Sequence, residues 1–141
     1  MKKIITLILV LVLCSSCGST MTKEMKESTI TYQASSRGFY VNIEIQDNKM
    51  TVIRERNSAG EEASLSHSQL EDFEKLYQKV TLKELENYKA PTEKRFYDGA
   101  AIATFSVNYQ GKTYNSQAFD HGSPPVEIAE LVNKMVSFIE N

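Results

Sequence analysis

Two early stretches of the chain alternate apolar and polar residues with a period of two. Ile30, Tyr32 and Ala34 alternate with Thr31, Gln33 and Ser35, and Phe39, Val41, Ile43 and Ile45 alternate with Tyr40, Asn42, Glu44 and Gln46. Such alternation predicts strands with one buried face. Ser35-Ser36-Arg37-Gly38 separates them as a turn in which Gly38 is free to take positive φ. Asp47-Asn48 is a hairpin signal of the I′ kind, and Met50–Arg56 pairs back as a third strand, less regular because Val52 and Ile53 are adjacent. Asn57–Ser64 reads as a polar loop.

The period then becomes helical. Ser66 followed by Gln69 is a capping-box pattern, and Leu65 with Leu70 fits a hydrophobic staple. Leu70, Phe73, Leu76, Tyr77 and Val80 form one apolar stripe. Thr81 with Glu84 repeats the cap and predicts a short second helix over Leu82–Tyr88. Lys89–Asp98 is a loop. A fourth strand runs from about Ala100 to Tyr109, Gln110-Gly111 turns the chain, and a fifth strand runs from Lys112 to Phe119. After the turn Asp120–Ser123, Ser123 is the expected N-cap of a last helix with Pro124 at its first position. Its stripe is Ile128, Leu131, Val132, Met135 and Ile139. The order βββ-α-ββ-α predicts an α+β domain: an antiparallel sheet of about five strands with two main helices on one face. Phe73, Leu76, Phe105, Val107, Leu131 and Met135 are its expected core.

The first residues follow a different plan. Lys2 and Lys3 precede the apolar run Ile4–Leu13, which ends in Cys14-Ser15-Ser16-Cys17-Gly18-Ser19. A basic start, a short apolar core and small residues make an export signal, and the run is well short of the roughly 20 residues that span a bilayer. The segment resembles the processing site of bacterial lipoproteins, in which small residues precede a cysteine that is acylated and becomes the mature N-terminus. Ser15-Ser16-Cys17 carries the resemblance, and Cys14 departs from it where the family prefers leucine. The resemblance implies lipidation at Cys17, a membrane-held protein of the cell envelope, and the outer membrane in preference to the inner. An ordinary cleaved signal and an uncleaved anchor are the alternatives. The division expected is a signal over 1–16, a lipidated N-terminus and tether over 17–28, and one domain over 29–141. Lys-Glu-Met-Lys-Glu within the tether is able to form a helical turn, with nothing in the sequence to fix it.

Composition narrows the picture further. The only cysteines are Cys14, within the signal, and Cys17, tied to lipid after processing, so the domain has no internal disulfide and relies on its core. The 125 residues from Cys17 suffice for one such core. Without Lys2 and Lys3 the balance is 14 basic against 18 acidic residues, a formal charge of −4. There is no basic block, which argues against a nucleic-acid partner.

Candidate chemistry is sparse. His67 and His121 lack the further ligands or fixed spacing of a metal site. Asp120-His121-Gly122-Ser123 holds three triad residue types, but a triad needs them converging from separate places. Glu61-Glu62 and Glu71-Asp72 read as solvated pairs. No phosphate loop or nucleophile elbow is present, so the expectation is no enzyme, no cofactor and no metal. Two loops carry residue types favoured at binding hot spots: Arg37 and Tyr40 in one, Arg95, Phe96 and Tyr97 in the other. Phe96 or Tyr97 would equally serve to open strand four and pack on the core, and Phe39 fits the core better than a contact. The expected function is a non-catalytic binding or scaffolding domain, with a protein of the envelope as candidate partner.

A second, weaker resemblance is to emfourin-type inhibitors of thermolysin-like metallopeptidases. Ser36-Arg37-Gly38-Phe39, Asp98, the hairpin through Gly111-Lys112, Asp120 and Pro124-Pro125 carry it, and Arg37 departs from the family's glycine pair. It implies a related fold and an inhibitor role as an alternative function, and no inhibitory residue.

Overall fold

The computed structural model describes residues 21–140. The signal over 1–16 and the proposed acylation site Cys17 lie outside the described residues. The order is α1 (Lys23–Glu27), β1 (Thr29–Ser35), β2 (Tyr40–Gln46), β3 (Lys49–Ile53), β4 (Glu61–Ser64), α2 (His67–Tyr77), β5 (Ile102–Tyr109), β6 (Lys112–Asn115), β7 (Phe119–Asp120) and α3 (Ala129–Ser137). Two 3-10 turns, Leu82–Asn87 and Lys94–Tyr97, lie between α2 and β5.

The strands form one antiparallel sheet in the order β4-β3-β2-β1-β5-β6, with β7 paired to the start of β5. Ile30, Tyr32, Ala34, Val41, Ile43, Ile45, Ala103, Phe105 and Val107 are buried, as the alternation requires. Phe73 and Tyr77 of α2 and Leu131, Val132 and Met135 of α3 join them in a single cluster. The fold is therefore α+β, with more strands than expected. Five of the six expected core residues are buried, and Leu76 is only partly so.

The differences have local causes. β4 lies within the stretch read as polar loop, and all four of its residues are exposed. A strand wet on both faces has no hydrophobic period, and its two glutamates suit an unpaired edge. The expected fifth strand is interrupted because Ser116 Oγ accepts the Phe105 amide at 3.0 Å in place of a ladder carbonyl. The short helix after Thr81 is the 3-10 turn at Leu82–Asn87, anchored by fully buried Leu85.

The last helix starts at Ala129, not after Ser123, and Ser123 does not cap it. Pro125 disfavours helical geometry at Pro124, and the Ser123 amide instead donates to the Asp120 carbonyl at 2.8 Å. Gly38 does not adopt positive φ; Asp47, Gln110 and Gly111 do, at 54°, 50° and 77°. Positive φ at both Gln110 and Gly111 is the I′ pattern, which Asp47-Asn48 does not share. The capping box of α2 forms as read: the Gln69 amide donates to Ser66 Oγ at 3.2 Å, and the Ser66 amide to Gln69 Oε1 at 2.8 Å.

Residues 22–28 are not free tether. Met25 is 1% exposed and sits in the core cluster. The Thr22 amide donates to Glu74, itself nearly buried. Tyr77 donates its hydroxyl to Glu24 Oε1 at 3.1 Å, and buried Ser28 lies 3.3 Å from the same hydroxyl. Burial, against the opposing Ser28 contact and aided by the Glu24 charge, pushes the Tyr77 hydroxyl up to about 12, so it stays protonated. One methionine among four charged neighbours gives no periodic signal.

Candidate binding end of the sheet

β1 lies between β2 and β5, and its last residue, Ser35, pairs with both Tyr40 and Ile102. The loops leading into β2 and β5 therefore emerge at the same end of the sheet. Ser36 and Arg37 of the first loop and Asp98, Gly99 and Ala100 of the second line one depression between them. Arg37 and Tyr40 are thus brought to the same end as Arg95, Phe96 and Tyr97.

Asp120 organises that end. It is 1% exposed and sits in β7, hydrogen-bonded to the start of β5. Its Oδ2 accepts from Thr92 Oγ1 at 2.6 Å and the Lys94 amide at 2.7 Å. Its Oδ1 accepts from the Arg95 amide at 2.9 Å and from the Arg95 guanidinium at 3.1 Å. Burial works to raise this carboxyl, but the Thr92, Lys94 and Arg95 donors outweigh it and hold it well below the usual carboxylate range. The same guanidinium nitrogen donates to the Thr92 carbonyl at 2.7 Å. Both main chain and side chain of the Lys94–Tyr97 turn are thus clamped.

Arg95 is consequently not a free contact residue. Its side chain is 10% exposed and committed to Asp120. Its guanidinium carbon lies 4.4 Å from the Phe96 ring centroid, within cation–π range. Phe96 and Tyr97 are 72% and 71% exposed, so neither packs on the core to open the strand. Asp98 closes the turn at φ 58°, and the Gly99 amide donates to the Lys94 carbonyl at 2.8 Å. A Cβ on Gly99 would stand 2.8 Å from the Tyr97 ring and 3.2 Å from that carbonyl. Glycine is what lets the Tyr97 ring lie against the backbone here.

The first loop is closed by the Ser36 amide donating to the Phe39 carbonyl at 2.8 Å. Arg37 is exposed and Tyr40 half-buried. Arg56 lies 5.6 Å from the Tyr40 ring centroid and donates to the Ser36 carbonyl at 3.3 Å. Phe39, expected in the core, is 41% exposed and stacks against His121 with centroids 5.0 Å apart. His121 Nδ1 and the Tyr32 hydroxyl share a 2.6 Å hydrogen bond. Burial pushes the Tyr32 hydroxyl upward, which keeps it protonated and able to donate. Beside them a cavity of about 370 Å³ opens between the sheet and the end of α3. Val41, Ile43, Val136 and Ile139 contribute apolar lining, and Arg54, which also lines it, donates to the Ile139 carbonyl at 3.1 Å. This size lies at the small end of ligand pockets.

The Asp-His-Ser residues of the turn do not form a relay. Asp120 turns both oxygens to Thr92, Lys94 and Arg95, His121 pairs with Tyr32, and the Ser123 amide closes the turn. His67 lies 3.2 Å from Glu71 on an exposed helix face. Among the described residues no group of three or more metal-ligating side chains converges, and no helix is long and apolar enough to cross a membrane.

Sequence pattern points Phe39 to the core and His121 to a turn, and gives no sign that Tyr32, Arg54 and Arg56 join them at this end. Their contribution depends on strand order, which no local pattern encodes. No known protein family, curated protein or solved structure matches the chain.

Proposed function

We propose that the chain is a lipid-anchored protein of the cell envelope whose domain binds a protein partner without catalysis, through the end of the sheet that carries Phe96 and Tyr97. The address rests on the lipoprotein-like Ser15-Ser16-Cys17 signal. The binding role rests on one observation: two aromatic side chains stand in solvent on a turn that Asp120 fixes from beneath. The clamp leaves the turn's backbone little entropy to lose on contact, and each aromatic ring adds only two side-chain torsions to order. Arg37 and Tyr40 border the same surface, and Arg95 positions it. No cofactor, metal or nucleic acid enters this reading.

The inhibitor version is favoured by the same clamped turn, since a protein that blocks a protease presents a rigid loop. In the test, the purified domain and its Phe96→Ala and Tyr97→Ala variants are compared in capture of partners from the native envelope and in titration against a thermolysin-like protease. The expected result is a partner retained by the wild type and lost or weakened in the variants, by about 2 kcal/mol if either ring is a hot spot. Equal capture by all three would refute the assignment of the surface. Absence of inhibition at large excess would retire the inhibitor version alone, and a hydrolytic activity abolished by His121→Ala would overturn the non-catalytic reading.

A further inference from the structure

We infer that the aromatic end of the sheet points away from the membrane that holds the chain, so that the Phe96-Tyr97 surface meets a protein on the aqueous side and not the anchoring bilayer. This rests on the lipid-anchor reading above. Docking begins early: α1 is held by Met25, Ser28 and the contacts of Thr22 and Glu24 with α2. Met21 also packs against the core cluster. From Cys17 to Met21 the chain reaches at most about 14 Å.

The entry point and the aromatic end lie at opposite ends of β1. Ser28, beside Tyr77, precedes Thr29, which pairs with Gln46 and Asn108. The aromatic loops lie past Ser35 at the far end of this seven-residue strand, roughly 20 Å away. The leash is therefore shorter than the strand that separates the two ends.

Nor do the sides of the domain invite it to lie flat. The outer face of α2 and α3 carries mixed charge, with Lys79 bonded to Glu130 at 2.8 Å and Lys134 to Asp72 at 3.5 Å. The open face of the sheet presents Thr31, Gln33, Asn42, Glu44 and Thr104, with Ile53 and the exposed Ile102, at the aromatic end, as isolated apolar residues among them. Neither side offers a bilayer an apolar or strongly basic surface.

Cys14 and Cys17 are the only cysteines, one removed and the other acylated in this reading, so single new thiols can be labelled cleanly. Full-length protein carrying Asn48→Cys, Arg37→Cys or Tyr97→Cys is processed in the cell and purified. It is then reconstituted into phosphatidylcholine vesicles that contain a headgroup-quencher lipid. Fluorescence from Asn48, at the entry end, should be quenched several-fold more than from Arg37 or Tyr97. A flexible Gly-Ser insertion of about ten residues after Ser19 should shrink that difference. Equal or stronger quenching at Tyr97 would overturn the inference and assign the aromatics to the bilayer. Insensitivity to the insertion would overturn the leash as its cause. Protein that fails to float with the vesicles would overturn the anchor itself, and is recognised before any label is read.

Discussion

Replacing Met25 by alanine distinguishes a docked N-terminal segment from a loose one. The side chain is 1% exposed within the core cluster. The change deletes three heavy atoms, about 2 kcal/mol at roughly 0.8 kcal/mol per methylene-sized group. The cavity left behind adds to this, and buried Met→Ala changes span about 2–5 kcal/mol. The lower half of that range applies here, because α1 is short and can undock instead of leaving a void. The domain has no tryptophan, so far-UV circular dichroism during urea unfolding is the suitable readout. At a urea dependence of about 2 kcal/mol per molar, the middle of the usual span, the midpoint should fall by about 1–2 M. Lys23→Ala is the control: its side chain is 81% exposed in a surface pair with Glu27, worth about 0–1 kcal/mol. A loss below about 0.5 kcal/mol for Met25→Ala, the level of a neutral surface change, would refute the docking and with it the short leash.

Cys17→Ala should abolish incorporation of a fatty-acid probe in cells; a variant that still takes label, or a wild type recovered soluble and unlabelled, contradicts the anchor. Asp120→Asn should speed hydrogen exchange at the Lys94 and Arg95 amides while leaving β1 and β2 protected; unchanged exchange would show that the clamp is not what fixes the turn. Because the folded carboxyl of Asp120 is depressed, its contribution is present above the unfolded value near 4 and is lost as pH falls through the folded one. In the wild type those two amides should therefore stay protected at neutral pH and lose protection only below about pH 4. Gly38→Ala should change stability by less than about 1 kcal/mol, since an added Cβ meets nothing within 4 Å and φ is not positive; a larger loss in urea unfolding would contradict the loop geometry.

How much of this was legible follows from which faces are buried. β1, β2 and β5 were readable because one side of each meets the core and the other meets water. β4 was not, being wet on both sides, and α1 was not, because a single Met25 has no period. The Ser66-Gln69 cap is a local motif and formed as written. The aromatic loops were visible by residue type, but their adjacency came only from β1 lying between β2 and β5. The clamp was invisible for a different reason. Asp120 finds its partners 25 to 28 positions upstream, and two of them are backbone amides that carry no sequence identity. Arg95 consequently looked like a contact residue although its charge is spent inside the fold.

The central claim is that the clamped aromatic turn is where the domain meets its partner. The most direct test is site-specific photo-crosslinking in intact cells, with the photoreactive residue placed at Tyr97 or, at the opposite end of the sheet, at Asn48. A discrete protein adduct from position 97 and none from position 48 is the predicted result. An adduct from position 48 alone, or none from either, would contradict it.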